Sequence, residues 1–147
     1  MYSSVLFLHS WVRWIALVAV VGTAFAAFRR REATADRWGS IAMMALDTQM
    51  LLGLILYLVV SPNMKEILAN FGAAMRAPAS RFWAVEHITA MFGAVAVAHV
   101  GRVLARKARS SDARRARLLI CFVIVTMLIL AGMPWPARPG GRPLFRL

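Results

Sequence analysis

Four long apolar runs constrain this chain more than any other feature of its sequence. Each run is long enough to cross about 30 Å of hydrocarbon at about 1.5 Å of helical rise per residue, and they cover residues 7–28, 41–60, 82–105 and 118–133. Hydrophobic residues make up 61% of the 147 positions, above the roughly 45–50% of soluble domains. The sequence therefore predicts an all-α integral membrane protein whose residues 1–147 form a single domain, a bundle of four transmembrane helices.

The connection between the second and third spans is longer than the other two. It carries Pro62 and Pro78 near its ends, and its centre, MKEILANFGAAM, repeats apolar residues at helical spacing. This pattern is typical of an amphipathic helix that lies in the membrane interface, so we expect a short outer interfacial helix between spans two and three. The tail PWPARPGGRPLFRL is rich in Pro, Gly and Arg, which predicts irregular structure packed against the outer mouth of the bundle.

The basic residues predict which side of a membrane each loop occupies. Of the 18 Lys and Arg residues, four lie in the first loop and seven in the third, and both loops fall on the same side of a four-span bundle. By the positive-inside rule that side is cytoplasmic, so both termini are periplasmic in a bacterial inner membrane. The net charge of +12 is clustered between apolar runs, which favours lipid headgroups and argues against a nucleic-acid partner.

Two histidines fall at nearly the same predicted depth, in spans that run in the same direction. His9 lies about two residues inside the outer edge of the first span, and His87 about five residues inside that of the third. At about 1.5 Å per residue their depths differ by only about 5 Å. We therefore expect the two imidazoles to face each other across the bundle core, in an outer polar layer that also contains Arg13, Glu86 and Arg81.

Stripes of small residues below both histidines allow two interpretations. One is close helix–helix packing, which small residues favour in membranes; the other is space for a flat macrocycle whose iron the histidines ligate. Two opposed imidazoles are the usual way to hold a b-type haem in a helical bundle. We therefore favour haem b as the cofactor, with His9 and His87 as the ligands of the haem iron.

The charged neighbours are assigned to the same cofactor-binding site. Arg13 and Arg81 are candidates for contact with the haem propionates, and Arg13 has the alternative of extending to the outer headgroups. Glu86 is expected to orient His87 by accepting its second ring proton. A zinc or copper ion at His9, Glu86 and His87 is a further alternative, but neighbouring residues on a helix point about 100° apart, which is poor geometry for chelation.

Asp47 and His99 form a second, inner polar layer. Both lie about 10 Å from the predicted cytoplasmic interface, with Gln49 near them and Arg102 one turn from His99. Ionisable residues inside a span are functional candidates by default. We predict a catalytic role for Asp47 and His99, in moving a proton or contacting a quinone or porphyrin ring. The alternative is a buried hydrogen-bonded pair that only fixes the packing of spans two and three.

Several short motifs resemble those of a family of small bacterial four-span membrane proteins described as cytochrome b-like. They are spread over nearly the whole chain: HSWVRW in span one, DTQMLLGLILY in span two, EH and HVGR in span three, and AGMPWP and RPLFR at the end. The resemblance implies a four-span, cytochrome b-like protein.

A second similarity is to the HemJ-type membrane protoporphyrinogen oxidases, which have about this length and four spans. His9 matches an essential histidine early in their first span, and His99, Gly101 and Arg102 match a patch where their third span leaves the membrane. Their third span carries a lysine where this chain has His87. The departure suits a bis-histidine haem site and counts against porphyrinogen oxidation.

Together these features predict a haem b-binding protein that acts in electron transfer or in oxidation of a membrane-soluble substrate, a quinone or a porphyrinogen. Whether it is an enzyme stays open at this point. The alternative is a non-catalytic accessory subunit of a larger respiratory or photosynthetic membrane complex, and a homo-oligomer is compatible with both. A transporter or channel fits less well, because the polar residues form no continuous track and no span is broken in its middle by proline or paired glycines.

Overall fold

The protein is all-helical in the computed structural model, which describes residues 1–145, and no strand occurs in that range. Seven α-helices follow one another along the chain: α1 (Tyr2–Phe28), α2 (Glu32–Ile55), α3 (Pro62–Ala69), α4 (Phe71–Ala74), α5 (Pro78–Arg81), α6 (His87–Arg106) and α7 (Ser111–Gly132). Two π-helical turns, Leu56–Val60 and Phe82–Glu86, extend α2 and join α5 to α6.

Four helical stretches are long and apolar enough to cross a membrane, and they match the four predicted spans. Their bounds are Tyr2–Phe28, Glu32–Val60, Pro78–Arg106 and Ser111–Gly132. The fourth ends one residue before its predicted limit at Met133. All four begin several residues before the apolar run, because a helix continues through polar residues that hydropathy leaves out. The fourth starts where the Ser110 hydroxyl accepts the backbone N–H of Ala113 at 3.2 Å, and it ends before Pro134, as the proline predicts.

The turn between α1 and α2 is very short and uses an unusual backbone conformation. Arg30 has a φ of 57°, a left-handed conformation that more often belongs to glycine at a helix C-terminus. The N–H groups of Arg30 and Arg31 donate to the carbonyls of Ala27 and Ala26, at 3.1 and 3.0 Å. These bonds satisfy the last carbonyls of α1 and let α2 start at once in the opposite direction.

The four long helices form a bundle in which α1 and α6 lie diagonally opposite. Helix α1 packs along α2 and α7, α6 packs along α7, and α2 meets α6 over far fewer contacts. The core is dominated by alanine, which lets helix backbones approach closely: Ala16, Ala19, Ala24, Ala26, Ala27, Ala35, Ala42, Ala45, Ala94, Ala98 and Ala105. The seam between α2 and α6 is therefore the weakest side of the bundle.

An ion network ties three helices together at the end of the bundle that carries the two short loops, here called the basic end. Asp36 on α2 accepts a hydrogen bond from Arg114 on α7, and its carboxylate lies 3.5 Å from Arg102 on α6. Arg102 also donates to the Ser40 hydroxyl at 3.1 Å. Part of the basic charge thus holds the helices in register, in addition to any role in orientation across a membrane.

The long connection forms two short helices at the opposite end of the bundle, here called the termini end. Helix α3 begins at Pro62, where the Ser61 hydroxyl accepts the N–H of Met64 at 3.3 Å. Met64 and Ile67 are buried, in a small cluster of their own that includes Ala84 and the partly buried Tyr57. The connection is helical in two pieces, α3 and α4, which are separated at Asn70, and the single helix in a membrane interface stays a prediction.

The C-terminal tail packs against the termini end, as predicted. The indole N–H of Trp83 donates to the Gly140 carbonyl at 3.0 Å, and that of Trp14 donates to the Leu144 carbonyl at 3.3 Å. The ring of Phe145 stacks on Trp14, with centroids 5.1 Å apart and planes 12° from parallel. Residues 146–147 lie outside the described range.

Gly101 gives a direct test of the packing between α6 and α7. A Cβ at this position would lie 2.5 Å from the Cβ of Cys121, an atom that cannot swing away. We expect Gly101→Ala to lower the free energy of unfolding by about 1–3 kcal/mol, the usual cost of overpacking, measured by denaturant titration in mixed micelles. Gly72→Ala is the matched control, because nothing lies within 4 Å of its Cβ position; an equal loss in both variants would contradict this packing.

Candidate functional site

The main cavity lies between the long helices, towards the termini end. Its volume is about 120 Å³, and its lining includes both His9 and His87. A second cleft of about 50 Å³ shares these two histidines and continues between α2 and α6. Three members of the predicted outer polar layer, His9, Arg13 and His87, therefore line an internal space.

The two imidazoles meet across the bundle. His9 comes from α1 and His87 from the first turn of α6, and their ring centroids are 6.4 Å apart with the planes 68° from parallel. The expectation that these rings face each other across the core is confirmed. An imidazole nitrogen lies about 2 Å from a metal that it ligates, so two rings that share one metal have centres roughly 6 Å apart.

The ring of His87 is fixed by a backbone carbonyl. Its Nδ1 lies 2.7 Å from the Gly132 carbonyl oxygen, and because a carbonyl can only accept, Nδ1 carries the proton. No hydrogen bond within residues 1–145 engages Nε2, whose lone pair therefore remains available. A metal-ligating histidine commonly donates its other ring N–H to a carbonyl in this way.

The ring of His9 is held by Gln49. The Gln49 amide nitrogen donates to the backbone carbonyl of His9 at 2.9 Å, which fixes the orientation of the amide. The same nitrogen lies 3.2 Å from Nε2 of His9, so this ring nitrogen accepts and the proton is on Nδ1. Within the described residues, Nδ1 of His9 and Oε1 of Gln49 are buried without a hydrogen-bond partner. The cavity wall thus contains unsatisfied polar atoms.

Two π-helical turns hold the cavity at the termini end. The Tyr57 hydroxyl, from the turn after α2, donates to the Ala84 carbonyl in the turn before α6 at 2.7 Å. This bond links the two chain segments that enter and leave the long connection. Single π turns inserted in α-helices are frequent at functional sites, and here the second one immediately precedes His87.

The predicted hydrogen bond between Glu86 and His87 is not formed. Glu86 is exposed and accepts from Nε of Arg81 at 2.8 Å, while the ring proton of His87 goes to Gly132. The π turn is the physical reason, because its i→i+5 geometry aligns residues 81 and 86 with each other. Neither Arg81 nor Glu86 lines the cavity, so a direct role of either in holding a ligand there has no geometric support.

The cationic residues that do line the cavity are Arg13 and Arg142. Arg13 donates to the Leu144 carbonyl at 2.5 Å and lies with its guanidinium 5.1 Å from the centre of the Trp14 ring. Arg142 lies over Trp83 at 5.5 Å. Both guanidinium groups are thus oriented at the termini end, where an anionic group of a bound ligand would meet them.

Asp47 and His99 are brought together, but on the outside of the bundle. Nε2 of His99 lies 3.6 Å from a carboxylate oxygen of Asp47, and their side chains are 50% and 53% exposed. The pair is therefore half exposed, so the burial that the packing alternative assumed is wrong, and the role of the two residues stays a prediction. Gln49, which depth alone placed beside this pair, is buried next to His9.

Two imidazoles are the axial ligands that a haem iron would need from the protein. Gly53 provides room for one of them, since a Cβ there would lie 3.2 Å from Cε1 of His9. No group of three His, Cys, Asp or Glu side chains able to hold a metal ion occurs among the described residues. A macrocycle would need more space than the present cavity of about 120 Å³, and flexible side chains such as Met64 and Met91 would have to move aside.

Sequence reasoning missed four contributors to this site. Gln49 was assigned to the wrong layer, Tyr57 and Arg142 were not singled out, and the Gly132 carbonyl has no sequence signature. The polar residues within DTQMLLGLILY were the available signal for Gln49 and Tyr57. Comparison with protein-family models, curated proteins and solved structures found no match.

Tyr57→Phe tests the link between the two π turns. Loss of the hydroxyl leaves the Ala84 carbonyl without its partner, so we expect unfolding to become easier by about 1 kcal/mol. Tyr2→Phe is the control, because Tyr2 also lines the cavity but makes no hydrogen bond through its hydroxyl within residues 1–145. Denaturant titration of both variants in the same micelles gives the comparison, and equal stabilities would show that the link contributes nothing.

Proposed function

We propose that this chain is a membrane protein that binds a b-type haem through His9 and His87 and acts in electron transfer or in oxidation of a membrane-soluble substrate. The observation that supports it most is the pair of imidazoles from diagonal helices, with ring centroids 6.4 Å apart. Both rings carry their proton on Nδ1, so both Nε2 atoms are of the kind that ligates a metal. When bound, the haem would supply one-electron redox chemistry.

The residues of the cavity divide into ligands and positioning groups. The Gly132 carbonyl holds His87 in one tautomer, which raises the basicity of Nε2 and fixes its direction. Gln49 occupies Nε2 of His9 at 3.2 Å, and ligation requires it to give up that one contact. Its second amide proton stays on the His9 carbonyl, so the residue can remain in place.

The cavity is polar at one end and apolar towards its centre, as an amphiphilic macrocycle requires. Arg13 and Arg142 line it at the termini end, where they would neutralise propionate groups. Leu46, Met91 and Ile129 form part of the apolar wall, which excludes water from the ring. In this proposal the termini end is periplasmic and the basic end cytoplasmic, in a bacterial inner membrane.

Replacement of the two histidines tests the proposal. In the purified wild-type protein we expect the reduced-minus-oxidised absorption spectrum of a six-coordinate b-type haem, because two axial imidazoles give the iron six ligands. A pyridine haemochrome assay should give about one haem per chain. His9→Ala and His87→Ala should each abolish the six-coordinate spectrum and lower the haem content. His99→Ala is the matched control, since His99 lies on the outside of the bundle.

Two results would exclude haem ligation by this pair. One is a colourless wild-type protein, even when haem is supplied during expression. The other is an unchanged haem content in both His9→Ala and His87→Ala, with circular dichroism showing that each variant is folded.

Gly53 tests the position of His9 without removing a ligand. A Cβ at residue 53 would press on Cε1 of His9 at 3.2 Å, and holding the ring away from its preferred angle costs about 1 kcal/mol. We therefore expect Gly53→Ala to weaken haem binding about 5-fold in a titration of the apoprotein. Gly93→Ala is the control, because its Cβ would meet only Leu128 at an ordinary 3.6 Å; equal affinities would mean that the position of His9 does not matter.

A further inference from the structure

The Asp47–His99 pair is placed unusually for ionisable residues in a helix that crosses a membrane. Such residues almost always face the bundle interior or a water-filled space. Here both side chains are half exposed on the outer surface where α2 meets α6. His99 lies seven residues from the end of α6 at Arg106, about 10 Å along the helix, so in the proposed bilayer the pair faces lipid at hydrocarbon depth.

The hydrogen bond of Nδ1 determines what the other ring nitrogen of His99 presents to Asp47. Nδ1 of His99 lies 3.0 Å from the Val95 carbonyl and therefore donates to it. A neutral ring then presents the lone pair of Nε2 to the Asp47 carboxylate. A proton taken up by the pair makes one of these two groups a hydrogen-bond donor.

Asp47 and His99 are only loosely engaged with each other. The separation of 3.6 Å between Nε2 of His99 and the Asp47 oxygen exceeds the roughly 2.7–3.2 Å of a good hydrogen bond. The nearest cation along α6, Arg102, is occupied by Asp36 and Ser40. The pair therefore offers acceptor lone pairs and, when it carries a proton, one donor. In the proposed bilayer no water is available there to satisfy them.

A cleft leads from the interior site towards the pair. It is lined on α2 by Met50 and Leu54 and on α6 by Ile88, Met91 and Val95. Asp47 precedes Met50 by three residues, and His99 follows Val95 by four. Residues at these spacings are neighbours on a helix surface, so Asp47 and His99 lie next to the residues that line the cleft. The cleft, His87 and the exterior pair thus lie along the α2–α6 seam, the least tightly packed side of the bundle. His9 of α1 lines the inner part of this cleft.

We infer that the α2–α6 seam at Asp47 and His99 binds the head group of a lipid-soluble quinone. A ligand that reaches this depth has to be dissolved in the bilayer, and it needs an apolar body to lie against methionine, leucine and valine. When the pair carries a proton, a quinone carbonyl accepts from the Nε2–H of His99; without that proton, the hydroxyl of the quinol donates to the Asp47 carboxylate. The pair is complementary to both forms. The inference names the substrate class of the proposed function and rests on it.

A photoreactive quinone tests the site directly. The protein in nanodiscs of zwitterionic lipid is labelled with an azido-benzoquinone that carries a decyl tail, with decyl-benzoquinone as competitor, and the labelled peptides are mapped by mass spectrometry. We expect saturable labelling of the α2 and α6 peptides around residues 47 and 99. Asp47→Asn and His99→Gln should each weaken binding at least about 10-fold, a loss consistent with removal of a charge-assisted hydrogen bond.

The controls separate this inference from haem ligation. Thr48→Val changes an exposed neighbour on the same turn and should leave quinone binding unaltered. All three variants should retain the wild-type haem content, whereas His9→Ala and His87→Ala test the haem site independently. If either single variant fails to fold, the double variant Asp47→Asn/His99→Gln, which leaves no unpaired charge, takes its place.

Three results would overturn the quinone site. The first is labelling that does not saturate, and the second is equal affinity in wild-type, Asp47→Asn and His99→Gln proteins. The third is a wild-type dimer that dissociates in these two variants, which would make the seam a contact between two copies of this chain.

Discussion

A polar group in hydrocarbon has to find its partner within the protein or in a ligand, and in the proposed bilayer that constraint applies to the polar side chains of these four apolar helices. The helices satisfy the hydrogen-bonding groups of the backbone. Hydroxyls inside α1 and α7 donate to the backbone carbonyl one turn earlier: Thr23 donates to Ala19 at 2.8 Å and Thr126 to Phe122 at 2.8 Å. Against this background, the polar groups left incomplete stand out. Among the described residues they include Nδ1 of His9 and Oε1 of Gln49 in the cavity wall, and the loosely paired Asp47 and His99 lie on the outside.

The alanine-rich core explains how residues on diagonal helices come close enough to act together. Ala19, Ala42 and Ala98 are completely buried, and such small side chains allow backbones to approach. The first two turns of α1 and the start of α6 lie beyond this packed region, where the tail and α3 cover the bundle instead. Close packing at the centre and a looser termini end therefore place the cavity where the two histidines are.

The sequence was sufficient to predict the four helices and the meeting of His9 with His87, because hydropathy and rise per residue determine length and depth. The depth of a residue in its span could not show which face of the helix that residue occupies. Asp47 and Gln49 share a depth but lie two residues apart, about 200° around the helix, so one faces outward and the other inward. The Arg81–Glu86 pair required the π turn, and the Gly132 and Ala84 carbonyls became partners only through tertiary packing, which no local pattern encodes.

The two proposed sites require the same change in the helix bundle. A macrocycle between His9 and His87 and a quinone ring at Asp47 and His99 both require space between α2 and α6. Widening that seam breaks the fewest contacts, since α1 stays paired with α2 and α6 with α7. On α6 the two histidines are twelve residues apart, about 18 Å along the axis and roughly 120° around it. One helix can therefore present His87 to the interior and His99 to the outside of the bundle. The Tyr57–Ala84 hydrogen bond closes the seam at the termini end, and the Arg102–Asp36 pair closes it at the basic end.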